Sequence, residues 1–181
     1  MSPFKTLPFS PTHYSLPLSH IPHRSSIAAS MGGSAFHSLL GEKAFPRIPP
    51  GVYQALKARL YPIISTQYRR VATPIEAPEK VDYGDLDLLV TEPLPDPTTR
   101  AEREAVPHDI IKSILGAKHA IPMEGNRTSN YAIPVRHGEW RQFGHAEEED
   151  LARNAAPNSE IFYQVRRFQH ARTPASIYPY S

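Results

Sequence analysis

The 181-residue chain carries 20 prolines, 9 glycines and no cysteine, with 40% hydrophobic and 21% charged residues and a formal net charge of +2. That length fits one domain plus a tail, and proline at about twice the usual ~5% disfavours an all-helical bundle. The lack of cysteine excludes a disulfide framework, a thiolate nucleophile and a zinc–thiolate site, no apolar run approaches the ~20 residues of a bilayer span, and so small a net charge does not indicate nucleic acid.

All 18 acidic residues lie after position 41. Residues 1–30, with Pro3, Pro8, Pro11, Pro17 and Pro22 scattered among serines, read as a disordered tail: so many prolines prevent the amphipathic helix of a transit segment. The leader also lacks the apolar core of a secretory signal, so an intracellular, cytoplasmic setting is expected. The expected domain plan is a core over residues 31–137 followed by a divergent, weakly structured segment over 138–181.

Pro49 and Pro50 suit the start of a helix, where the missing N–H does no harm. Val52, Leu56, Leu60, Ile63 and Ile64 then recur at helical spacing, which predicts a helix over 51–69 bent near Ala58–Leu60 by Pro62. Arg69 and Arg70 complement its negative end. Val71–Ile75 reads as a short strand, placed near a sheet edge by Pro74. A polar loop leads to Asp85–Val90, a strand buried on at least one face. After a proline-rich loop over 91–107, a second helix is predicted over 108–116, with Pro107 at its start, Ile110, Ile111, Ile114 and Leu115 as its stripe and Gly116 as its stop. Lys118–Met123 and Ser129–Val135 read as two strands of a hairpin. Beyond Gly138 the pattern fades: Glu147–Asp150 reads as a solvated acidic run, Ile161–Phe168 as a further candidate strand, and the last dozen residues as unstructured.

The string that carries chemistry is Gly84-Asp85-Leu86-Asp87-Leu88-Leu89-Val90. Carboxylates at i and i+2 of a strand project to the same face, ~6.5–7 Å apart. Leu86 points to the opposite face, and Leu88 is expected on the carboxylate side where the strand runs inward. Two carboxylates converging on one point repel unless a cation sits between them. Mg²⁺ takes one or two such groups and completes its shell with water and phosphate oxygens, and a pair of ions can stabilise both the attacking and the leaving oxygen of a displacement. The alternative is a turn followed by an exposed strand edge, its acids solvated or paired with Lys80 or Arg70.

The strings Gly32-Gly33-Ser34-Ala35-Phe36, Pro46-Arg47-Ile48-Pro49-Pro50, Pro74-Ile75-Glu76-Ala77-Pro78-Glu79-Lys80 and Gly84-Asp85-Leu86-Asp87 occur in this order, followed by Leu115-Gly116-Ala117-Lys118 and Gly125-Asn126-Arg127-Thr128-Ser129-Asn130-Tyr131. As a series over residues 31–136 they resemble a set of fungal proteins of the polymerase-beta-like nucleotidyltransferase superfamily. The predicted elements themselves lead to an expected α+β fold, in which Val71–Ile75, Asp85–Val90, Lys118–Met123 and Ser129–Val135 form a small mixed sheet, helices 51–69 and 108–116 pack on one face and the ends are disordered. The resemblance implies that this is a partial nucleotidyltransferase fold. It also implies Mg²⁺- or Mn²⁺-dependent transfer of a nucleotidyl group from an NTP, with Asp85 and Asp87 as the first two metal-binding, catalytic carboxylates. The superfamily's glycine element for the triphosphate normally lies about ten residues before the paired acids. Here Ile75-Glu76-Ala77-Pro78 stands there, and the candidate is Gly32-Gly33-Ser34, whose backbone N–H groups could meet phosphate. The superfamily also expects a third carboxylate on a later strand, where this chain has Phe162-Tyr163-Gln164-Val165 and then Arg166-Arg167. Glu139 or one of the Glu147–Asp150 acids could stand in, although their spacing does not point to it. The expected alternatives to an active transferase are a non-catalytic scaffold or binding protein that retains the fold, and a truncated or mis-spliced product.

Overall fold

The computed structural model of the chain describes residues 34–77, 79–123 and 127–170. The expected N-terminal tail, Gly32, Gly33 and residues 171–181 lie outside them. The described elements run α1 (His37–Leu40), α2 (Pro50–Ser65), β1 (Tyr68–Ala72), β2 (Leu86–Pro93), α3 (His108–Leu115), β3 (His119–Pro122), β4 (Thr128–Pro134), α4 (Ala146–Ala155) and β5 (Phe162–Gln169). The fold is α+β. Its five strands lie in the order β1-β2-β5-β4-β3; β2 and β5 are parallel and the other neighbours antiparallel.

Helix α2 begins with Pro50 in its first turn and buries Val52, Tyr53, Leu56, Leu60 and Ile64. It runs through Pro62, because both Pro62 and Ala58, whose carbonyl loses its donor, lie on the exposed side, where water can replace the bond. The helix ends at Ser65, four residues before the expected boundary. Thr66 Oγ1 donates to the Ile63 carbonyl (2.7 Å), and β1 begins at Tyr68 rather than Val71, since burial of the Tyr68 ring draws the strand inward. Helix α3 stops where expected. Gly116 adopts φ +64, its N–H donates to Ser113 O (3.1 Å), and the N–H of Ala117 donates to Lys112 O (3.0 Å), the paired bonds of a Schellman stop.

Leu86, Leu88 and Val90 of β2, Tyr131 and Ile133 of β4, and Tyr163 and Val165 of β5 form one face of the sheet and pack with α2 and α3 in the main core. Leu88 therefore shares the face of Leu86 and not that of the carboxylates, as a two-residue period requires. The other face is partly covered too: Phe36, Ala44 and Phe45 pack on Ala132 and Phe162. Helices on one face thus describes α2 and α3, while the aromatic N-terminal segment closes part of the second face.

The largest departure lies beyond Gly138. Over 138–170 the segment is built structure and not a weakly ordered appendage. Trp140 is buried and donates from Nε1 to Tyr163 OH (2.9 Å), and β5 is the central strand of the sheet. Nor is Glu147–Asp150 simply a solvated run, since it forms the first turns of α4 and Glu149 is 2% exposed. Its carboxylate accepts from Gly138 N (2.7 Å), Trp140 N (2.8 Å) and Arg153 Nε (2.9 Å). Burial opposes ionisation of Glu149, but the Arg153 guanidinium and the two backbone donors outweigh it and hold its carboxyl below the ordinary value.

Candidate functional site

Strand β2 carries Asp87, and Asp85 stands immediately before its first residue; both project to the face away from the main core. In the β2–β5 register Asp87 lies opposite Arg166. Odd-numbered β5 residues Tyr163 and Val165 enter the main core, so Gln164 and Arg166 share the aspartates' face. Arg166 NH2 donates to Asp85 Oδ2 at 3.0 Å, with both side chains 16% exposed. Its Nε lies 4.0 Å from Asp87 Oδ1 and donates to Asn130 Oδ1 on β4 (3.2 Å). The guanidinium carbon stands 5.4 Å from the centroid of the Phe168 ring. The acid pair is thus brought together by a guanidinium anchored from two further positions.

The two carboxylates are not equivalent. Asp87 Oδ1 is buried and accepts no hydrogen bond, with Arg166 only at ion-pair range. Burial, and then the Asp85 charge, push the Asp87 carboxyl above its ordinary value against the pull of Arg166. Glu76, from the preceding loop, accepts from Tyr53 OH and from Lys80 Nζ (3.2 Å). Those two hydrogen bonds outweigh burial and lower its carboxyl. Tyr53 stacks on Tyr83 with ring centroids 3.8 Å apart, and Lys80 Nζ lies 4.5 Å from the Tyr83 centroid. Burial, followed by the bond to Glu76, pushes the Tyr53 hydroxyl far up, so it acts as a donor.

Lys80 and Arg70, considered as partners of the aspartates, are engaged elsewhere: Lys80 with Glu76, and Arg70 with Glu92 (2.8 Å). Of the stand-ins for a third carboxylate, Glu139 and Glu149 are committed. Glu139 accepts from Arg59 NH1 (2.9 Å) and Arg136 N (2.9 Å), and Glu149 forms the clasp under Trp140. Of the candidate phosphate loop, Gly32 and Gly33 lie outside the described residues, whereas Ser34 begins a segment that folds back over the sheet. The next residue, Ala35, donates its N–H to Gln164 Oε1 (3.2 Å), two positions along β5 from Arg166. Gln164 Nε2 is buried without a hydrogen-bond partner. Asn130 and Gln164 had no distinguishing mark in the sequence; only strand pairing brings them to this face. Two cavities, of about 320 and 370 Å³, lie elsewhere, one beside Leu60, Ile114 and Ile133 and one beside His108 and Lys112.

The donor set does not fit a divalent ion. Among the described residues no three His, Cys, Asp or Glu side chains converge as a metal cluster. A dication held ~4 Å from the Arg166 guanidinium would be repelled by about 8 kcal/mol at an effective dielectric of ~20, and the carboxylates that should offset this are already shared with the arginine. Asp85 and Asp87 are therefore on one face, as expected, but they form an ion-pair cluster and not a metal ligand set. Among the described residues no helix is long and apolar enough to cross a membrane. No family model matches the chain, and no curated protein matches it.

Proposed function

We propose that the chain is a non-catalytic binding or scaffold protein of nucleotidyltransferase-like architecture, in which the acidic pair is structural. The observation that carries this reading is the Arg166 guanidinium, 3.0 Å from Asp85 and 4.0 Å from Asp87. The order of helix, strand, polar loop and Asp-x-Asp strand supports the architecture, with a later strand running beside β2. A cysteine-free chain suits the reducing interior of the cell.

Nucleotidyl transfer from an NTP, with Mg²⁺ or Mn²⁺ at Asp85 and Asp87, is the second reading. It is favoured by the shared face of the two aspartates and by the return of the Ser34 segment over that face. Incubation with α-labelled NTPs and each metal separates the two. The expected outcome is no transfer of label to protein, nucleic acid or small acceptors, and no rise in Tm with metal plus NTP. Metal-dependent transfer that disappears in Asp85→Asn/Asp87→Asn would overturn the non-catalytic reading.

A further inference from the structure

We infer that Arg166 is the resident cation of the Asp85–Asp87 acid pair, a tethered counter-ion doing structurally what a divalent ion would do, and that this single side chain keeps metal out. The inference rests on the reading of the pair as structural and extends it to what the site can bind. Of the adjacent arginines only one can play this part. Arg167 points into the main core, fully buried, and donates to Tyr68 OH (2.8 Å), the Val106 carbonyl (2.8 Å) and Ser129 Oγ (3.2 Å). Arg166 faces Asp85 and Asp87, and its Cα is the register partner of Asp87.

Two features show that the arginine is placed and not merely nearby. Asn130, 3% exposed on the neighbouring strand, accepts from its Nε, and the Phe168 ring lies beside the guanidinium. Paired positions on adjacent strands lie ~4.8 Å apart. A carboxylate at position 166 would accordingly stand beside that of Asp87 and complete a three-acid group with Asp85, the oxygen-rich, anionic surroundings that a hard divalent cation takes.

Mn²⁺ titration by calorimetry and by electron paramagnetic resonance tests this on the full chain, its Arg166→Asp and Arg166→Gln variants, and Arg166→Asp/Asp87→Asn, with circular dichroism to monitor folding. Arg166→Asp is expected to bind Mn²⁺ at least tenfold more tightly than the parent, and the double variant to lose that gain. Should three facing acids prevent folding without metal, refolding on addition of Mn²⁺ supports the inference. Arg166→Gln, which removes the charge but keeps a side chain able to donate to Asn130, is expected to gain about threefold. The inference fails if the parent chain binds Mn²⁺ as tightly as Arg166→Asp, or if folded Arg166→Gln shows no gain, since Arg166→Asp also gains a ligand. Transfer of label by the parent chain would instead defeat the non-catalytic reading, so the two failures are distinguishable.

Discussion

At the scale of single residues, Asp85 and Asp87 differ in what they contribute although they are two positions apart. Asp85 accepts the 3.0 Å bond from Arg166, and Asp87 accepts none at its buried Oδ1. Asp85→Asn is therefore expected to cost ~1–2 kcal/mol, the loss of a charge-assisted hydrogen bond in a partly buried setting. Asp87→Asn should be neutral or stabilising at pH 7. Its carboxyl is raised in the folded state, chiefly by burial. Between the ordinary carboxylate value and that raised value, the native state holds a proton that the unfolded chain has released. Stability thus falls as pH rises through the window, and the substitution removes the penalty. Urea melts at pH 4 and pH 7 check both variants. Glu149 has the opposite sign: its carboxyl is lowered by Arg153 and two backbone donors despite burial. Its contribution is complete above the unfolded carboxylate value and is lost as pH falls through the folded one. Glu149→Gln should lower stability by ~3 kcal/mol at pH 7 and flatten the acid limb of a stability–pH curve.

At the scale of elements, helix ends and strand pairing govern the outcome. The α3 stop depends on Gly116 at φ +64, a conformation that costs a side chain about 1 kcal/mol. An added Cβ there meets nothing within 4 Å, so Gly116→Ala should cost only that backbone amount, read as a small, uniform shift of the urea midpoint. This stop was legible because glycine after an apolar helical stripe has a local cause. The end of α2 was not legible in the same way. Arg69 and Arg70 suited a helix terminus, but both pair with Glu92 across the β1–β2 ladder, a partner more than twenty residues away. Strand β5 was only a candidate for a related reason: as the central strand it is buried on both faces, so the alternation that marks a half-exposed strand is largely absent.

At the scale of the whole molecule, Arg167 joins regions far apart in the chain: Tyr68 on β1, Val106 before α3 and Ser129 on β4. Removing a buried charge that satisfies so many partners leaves their polar groups without it. Arg167→Ala is expected to cost ~3–5 kcal/mol, a large part of the ~5–15 kcal/mol of a typical domain, and to broaden the cooperative transition seen in a thermal melt. The amino-acid sequence by itself determined the α+β class, the helical stripes of α2 and α3, the Gly116 stop and the common face of Asp85 and Asp87, because each follows from periodicity or backbone chemistry within a few residues. Only the tertiary structure decided that Arg166 rather than Arg167 meets those aspartates, that Glu139 and Glu149 are committed elsewhere, and that β5 runs through the centre of the sheet. A side chain's partner across a sheet depends on which strands pair, in which direction and in which register, and that choice is made by burial of the whole core.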